Sequence, residues 1–301
     1  MLVNTHSQKD SNIQYRVSLK VVGEVLESVK INTKKVHSKS FFISLRNRKL
    51  MQQKQPNAFI FAGANASGKS TFITHLLLNN VIFGEYINPD LILKDELELE
   101  ETTENYLKVF QIAEERRYNA IKNSKDIIVE TVFSTQEKID FMYKLIESGY
   151  HITLFFTGTD DPAINALYLL DRVQNGGHDV PIKKLIDRRL RGFKNIKAVS
   201  KDIDCLIFVD NSIYDEPPVI IKSMYKNNIC YIADNHNREA TWLENILEDN
   251  IKVLQGDELK IVPKEHLQLC ENIQNSSHTF GNTLEKTYTE KNKVLAKEVK
   301  K

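Results

Sequence analysis

The sequence predicts an α/β fold, a three-layer sandwich in which a mostly parallel five-stranded sheet is covered by helices on both faces. Three observations carry that reading. Short apolar runs near 57–62, 85–88, 127–132, 151–158 and 204–209 alternate with stretches of helical periodicity near 69–79, 103–123, 136–148, 162–175 and 181–197. Strands that alternate with helices form parallel sheets through right-handed crossovers, because each helix carries the chain back across a sheet face. The composition, 41% apolar and 27% charged over 301 residues, suits one substantial core with extensions.

Residues 1–55 precede that pattern and are basic, with Lys30, Lys34, Lys35 and Lys39 among few acids, and with Val22, Val25, Leu26 and Val29 at helical spacing. They read as a partly helical extension whose basic face is solvated. The net charge of +1 gives no general pull toward nucleic acid or membrane, and nucleic acid is not an expected partner. The polar start and the lack of any apolar run of about 20 residues predict a cytoplasmic protein with no membrane partner. Cys205, Cys230 and Cys270 are too scattered for a disulfide framework or a paired-cysteine metal site.

The first strand, 57–62, runs directly into Gly63, Ala64, Asn65, Ala66, Ser67, Gly68, Lys69 and Ser70, and then Thr71 continues into a helix. This matches G-x-x-x-x-G-K-[ST] at every fixed position, in the strand-loop-helix context that the motif needs. Glycines let such a loop wrap so that its amides point at phosphate oxygens, and the helix N-terminus adds favourable partial charge. The sandwich is therefore of the P-loop NTPase type. Residues 63–71 are expected to hold ATP, with Lys69 bridging the β- and γ-phosphates and Ser70 ligating Mg2+. Kinases, ATPases and GTPases all use such a loop, so the chemistry must be read from the other strand ends.

Ligands of parallel sheets bind at the carboxyl ends of the strands, which admits Asp90, Glu130 and Asp210 and assigns Asp126 and His151 to the far edge. Beyond the second strand, Asn88 and Pro89 lead to Asp90, which is placed either to deprotonate an acceptor hydroxyl or to cap the turn that follows. The third strand delivers Glu130 and Thr131, with Ser134 close behind. Glu130 suits a contact to the metal through water, or the capping of a neighbouring loop. Between two helical stretches lie Arg172, Gly176, Gly177, His178 and Pro181, followed by Arg188, Arg189 and Arg191. A glycine hinge flanked by arginines suits a lid near 172–192 that closes over a triphosphate; the plainer alternative is a helical hairpin with its arginines paired to surface acids.

Past Asp210, two strand-like runs around Asn227 and Asn228 predict an appended β-hairpin near 218–234. Residues 239–253 read as a helix that closes a domain spanning 56–254. Residues 255–301 read as a polar tail, helical or disordered.

Taken together, 63–71, the Asn88-Pro89-Asp90 triplet, the Glu130-to-Ser134 segment and the stretch from Arg172 through Pro181 to Arg189 resemble the zeta toxin family of P-loop kinases, in its UDP-N-acetylglucosamine kinase-like branch. The resemblance covers roughly residues 56–235. It implies ATP-dependent phosphorylation of an alcohol group, typically the 3'-hydroxyl of the N-acetylglucosamine unit of a nucleotide-sugar substrate, and an antitoxin as a possible partner. Carried over by position, Asp90 is the base, Lys69 and Ser70 contact phosphate and Mg2+, and Asn88, Glu130, Thr131 and Ser134 belong to the substrate side. Arg172 with Arg188 or Arg189 supplies the lid charge. Two positions depart from the family pattern: Val132 stands where threonine is frequent, and Gly192 where serine is usual. A kinase for another small metabolite or nucleotide, and a non-enzymatic ATP-gated interaction module, are the alternatives.

Overall fold

The computed structural model describes residues 55–174, 180–214, 216–233, 240–248 and 251–276. Gln55 opens a compact unit of its own. The basic extension, the hinge residues Gly176, Gly177 and His178, and the end of the tail lie outside the described residues.

Strands β1 (Asn57–Gly63), β2 (Glu85–Ile87), β3 (Ile127–Thr131), β4 (His151–Gly158), β5 (Cys205–Asp210), β6 (Val219–Tyr225) and β7 (Asn228–Ile232) form one sheet in the order β2-β3-β1-β4-β5-β6-β7. The first five pair in parallel, and β6 and β7 join antiparallel. The expected hairpin is therefore not an appendage but the continuation of the sheet, which has seven strands rather than five. Lys226 and Asn227 both take positive φ, 45° and 62°, as a tight hairpin turn requires.

Helices α1 (Lys69–Leu78), α2 (Thr103–Lys122), α3 (Gln136–Glu147), α4 (Pro162–Gln174), α5 (Ile182–Val199) and α6 (Lys264–Ser276) pack around it. β1 is buried along nearly its whole length because both its faces are covered. Alternate side chains enter two cores. Ile60, Val129, Leu154 and Phe208 meet residues of α2, α3 and α5, whereas Phe59, Phe61, Ile128 and Phe155 meet α1 and α6.

One C-terminal expectation is revised. The helix expected over 239–253 is a 3-10 turn, Thr241–Asn245, among the described residues. Trp242 is drawn fully into the core, where Phe156, Phe193 and Phe208 surround its ring. A Cβ on Gly158 would stand 2.5 Å from that ring, so glycine is required there by close approach. The tail past 255 contributes α6, whose His266, Cys270 and Ile273 are buried at helical spacing.

Candidate active site

The phosphate loop is shaped by backbone conformations that its sequence permits. Ala66 and Gly68 take positive φ of 56° and 84°, turning successive amides toward a common concavity. Any side chain at Gly68 would collide with Asn211, whose Nδ2 would lie 2.6 Å from the added Cβ. Helix α1 starts at once, with Phe72 N–H donating to the Gly68 carbonyl at 3.0 Å.

Lys69 is buried, and its ammonium donates to the Ala64 carbonyl at 2.6 Å, with Ser67 Oγ at 3.5 Å. Burial pushes its pKa down and the Arg172 charge adds to that, while the Glu130 carboxylate opposes them. A cation folded into its own loop in this way is poised to exchange a carbonyl for an anion.

Glu130, at the end of β3, is the hub beside it. Its carboxylate accepts from Ser70 Oγ at 2.8 Å, from the Tyr86 hydroxyl at 2.8 Å and from Asn88 Nδ2 at 3.2 Å. Asn88 Nδ2 also donates to the Tyr86 hydroxyl at 3.0 Å. Tyr86 is held far above its ordinary pKa by burial first and by the Glu130 charge second, so it stays a donor.

Asn88 Oδ1 accepts from the Asp90 amide at 2.9 Å and caps the helical turn Pro89–Leu91. The cap is thus Asn88, and the Asp90 carboxylate is spared that duty. It instead lies within electrostatic reach of the Tyr106 hydroxyl of α2, whose pKa is raised by burial first and by the Asp90 charge second. Hydrogen bonds therefore connect Asp90 to the phosphate loop through Asn88, Glu130 and Ser70.

The other flank of the loop is held by three polar arms. Asn165 of α4 donates to the Ala66 carbonyl at 3.4 Å, and Asn211 beyond β5 donates to the Ser67 carbonyl at 3.2 Å. Arg188 of α5 donates to Asn65 Oδ1 at 3.1 Å. Arg189 is turned elsewhere: its buried guanidinium lies over the Phe193 ring and donates to the carbonyls of Thr159 and Asp160. Arg172, exposed on the last turn of α4, lies within electrostatic reach of both Lys69 and Tyr106.

Thr131 Oγ1 accepts from Phe133 N–H at 3.0 Å within the turn after β3. Ser134 is buried behind that turn. Tyr86, Tyr106, Asn165 and Asn211 were not foreseen from sequence. The signal available for the last was its position one residue past the end of β5, where ligand-facing residues of parallel sheets gather.

Oxygen donors from Ser70 and Glu130 suit a hard divalent cation, which needs few protein ligands when phosphates and waters complete its shell. No group of three or more metal-binding side chains occurs among the described residues, so a site made by protein alone is not offered.

A five-stranded parallel order of β2-β3-β1-β4-β5, with a phosphate loop after β1 and candidate acid-base groups at the neighbouring strand ends, defines a P-loop kinase. The profile of the Zeta toxin family matches residues 44–228, more than half of the chain. The chain belongs to the zeta toxin family. No curated protein matches it. Among solved structures it is similar to one from the PezAT chromosomal toxin-antitoxin system of Streptococcus pneumoniae, at 16% identity and a TM-score of 0.45, over 81% of this chain and 98% of that one. It is also similar to the AvrRxo1-ORF1:AvrRxo1-ORF2 complex with sulphate ions, at 15% identity and a TM-score of 0.46, over 77% and 78%. A gluconokinase from Sinorhizobium meliloti 1021 aligns at 14% identity and a TM-score of 0.30, over 52% and 84%.

Proposed function

We propose that the protein transfers the γ-phosphate of ATP to a hydroxyl of a nucleotide sugar, with the 3'-hydroxyl of UDP-N-acetylglucosamine as the first acceptor to test. The observation that carries this reading is the hydrogen-bonded path from the phosphate loop to Asp90 through Ser70, Glu130 and Asn88. The path ends at the Asp90 backbone amide, which supports assigning the neighbouring carboxylate to take the acceptor's proton.

Lys69 and the loop amides hold the terminal phosphates, and Arg188 and Arg172 add positive charge as the phosphoryl group moves. Asp90 takes the proton of the acceptor hydroxyl as its oxygen bonds to the γ-phosphorus, and the bond to the β–γ bridging oxygen breaks to release ADP. Mg2+, when bound by Ser70 and the phosphates, neutralises charge on the leaving oxygens. Glu130 and Asn88 orient the metal side and the acceptor. Arg189 supports the lid from beneath rather than reaching the phosphates. With the reacting end at Glu130, the base of ATP points to the opposite flank, where the rings of Tyr168 and Tyr214 lie 5.1 Å apart.

The test is incubation with Mg2+, ATP and a panel of UDP-sugars, read by mass. We expect Asp90→Asn to retain ATP affinity and to lose at least about 10²-fold in transfer, as removal of a general base does. Unchanged transfer would remove Asp90 from the mechanism. A second reading, transfer to another small hydroxylated metabolite, is favoured by one contact: a Cβ on Gly192 would lie 3.6 Å from the Val132 carbonyl, so the two departures from the family pattern adjoin one another. Thermal protection by each acceptor distinguishes the two readings. A protein antitoxin is proposed as a partner on the strength of family membership alone.

A further inference from the structure

Two buried asparagines reach the phosphate loop from outside it, Asn165 of α4 and Asn211 just past β5, at 0% and 4% exposure. They hold successive carbonyls of the loop, Asn165 that of Ala66 at 3.4 Å and Asn211 that of Ser67 at 3.2 Å. The reaction described above uses neither side chain.

A trans peptide is rigid and planar, and its carbonyl points away from the N–H that follows it. A grip on the Ser67 carbonyl from behind therefore aims the Gly68 N–H into the concavity of the loop. A grip on the Ala66 carbonyl aims the Ser67 N–H the same way. Among the described residues the Gly68 N–H donates to nothing, so it stays available to an anion at the start of α1. The loop does not hold these planes by local preference: Ala66 sits at a φ of 56°, a conformation that alanine adopts at a cost and that its surroundings must impose.

Asn211 is the more firmly braced of the pair. Its own N–H donates to the Gly158 carbonyl at 3.0 Å, and the buried Asp210 before it accepts from the Trp242 indole at 2.9 Å. Its Nδ2 rests so near Gly68 that a Cβ there would stand 2.6 Å away. The oxygen end of each side-chain amide is taken by a hydroxyl, Asn165 Oδ1 by Thr159 at 2.7 Å and Asn211 Oδ1 by Tyr168 at 3.5 Å. That leaves the donor end of both to face the loop.

We propose that Asn211, seconded by Asn165, is a positioning residue that presets the peptide planes of the phosphate loop, so that a triphosphate meets donors already aimed at it. Donors fixed in advance need no reorganisation when the charge arrives. The inference rests on the kinase reading above for the group that the loop holds, and it concerns the phosphates of the nucleotide rather than the acceptor.

The test uses the full chain with Mg2+ and two probes in calorimetric titration, a non-hydrolysable ATP analogue and inorganic tripolyphosphate, which has neither base nor sugar. Asn211→Leu keeps nearly the same shape, adds no charge and removes the donor. It should weaken both probes tenfold or more, by factors that agree within threefold, and it should move the Gly68 amide resonance of the ligand-free protein. Asn165→Leu should weaken both probes in the same direction. Unchanged affinity for tripolyphosphate in Asn211→Leu, a loss confined to the ATP analogue, an unmoved Gly68 resonance, or no binding of either probe by the wild type overturns the proposal. If the variants do not fold, a crystal structure of the wild type with the ATP analogue decides. Asn211 Nδ2 must stay within hydrogen-bond distance of the Ser67 carbonyl, and a broken contact overturns the proposal. Transfer and affinity both intact in Asn211→Leu defeat this inference and leave the kinase reading standing. Binding that depends on Asn211, without transfer to any acceptor by the wild type, defeats the kinase reading and leaves the positioning role standing.

Discussion

Two polar clusters, one half-open and one buried, interrupt the same apolar sheet, and they differ in what they leave unfinished. At the end of β3, Glu130 gathers Ser70, Tyr86 and Asn88 beside a cavity and a buried lysine. Between β6 and α6, Ser223 Oγ and His266 Nε2 share a 2.7 Å hydrogen bond, and Cys230 donates to the Ser223 carbonyl at 3.6 Å. The second cluster is sealed, with Ser223 wholly buried and His266 4% exposed. It is also neutral, because burial pushes His266 down to about 4. Burial alone does not mark a functional group. Charge kept at the open end of a parallel strand does, whereas neutral pairs in the middle of a sheet hold elements together.

The sharpest way to break this contrast is Lys69→Ala. We expect turnover to fall by at least about 10² to 10³-fold, as loss of a preorganised charge does, with the thermal midpoint nearly unchanged. A large loss of stability with turnover retained would place Lys69 among the structural groups. The converse test is pH. His266 has a folded pKa of about 4 against an unfolded value near 6.5, so its contribution to stability is complete above pH 6.5 and is lost as pH falls toward 4. The expected loss is about 2 kcal/mol between pH 7 and pH 5, read from urea midpoints. His266→Leu should flatten that slope while lowering stability at neutral pH by about 1–2 kcal/mol, since Ser223 loses its partner. A slope that persists in the variant would assign the effect elsewhere. The smallest effect concerns α5. Gly192→Ala, whose Cβ would make only ordinary contacts, should raise stability by about 0.5–1 kcal/mol, measurable by thermal unfolding.

Much of the fold was legible because strand and helix periods differ and because the phosphate loop fixes one strand, one turn and one helix together. All five parallel strands and the helices α1 to α5 lie where their patterns put them. The C-terminal region was harder to read. Residues near Trp242 have helical composition, but the space above Gly158 takes the indole ring and draws the chain into a 3-10 turn instead. The spacing of His266, Cys270 and Ile273 did carry a helical signal for α6, obscured by the polar residues around it. In the candidate site, the residues expected at the strand ends lie there, but their connections were not legible in the sequence. Adjacent arginines illustrate the reason. Arg188 and Arg189 are one residue apart, so helical geometry turns them about 100° from each other, one to Asn65 and the other to the carbonyls beyond β4. No composition argument ranks them. Arg117 shows the same limit: only packing reveals that its Nε is buried without a partner while Nη1 pairs with Glu114.

Trp242 is the chain's one tryptophan. Its indole N–H reaches Asp210 at 2.9 Å, and the next residue, Asn211, grips the carbonyl of Ser67. Excited at wavelengths too long for its 11 tyrosines, the protein therefore emits from a single indole stationed beside the phosphate loop's supporting strand. It offers a label-free optical gauge of that corner, by which the consequences of changes elsewhere in the chain can be followed without attaching any dye.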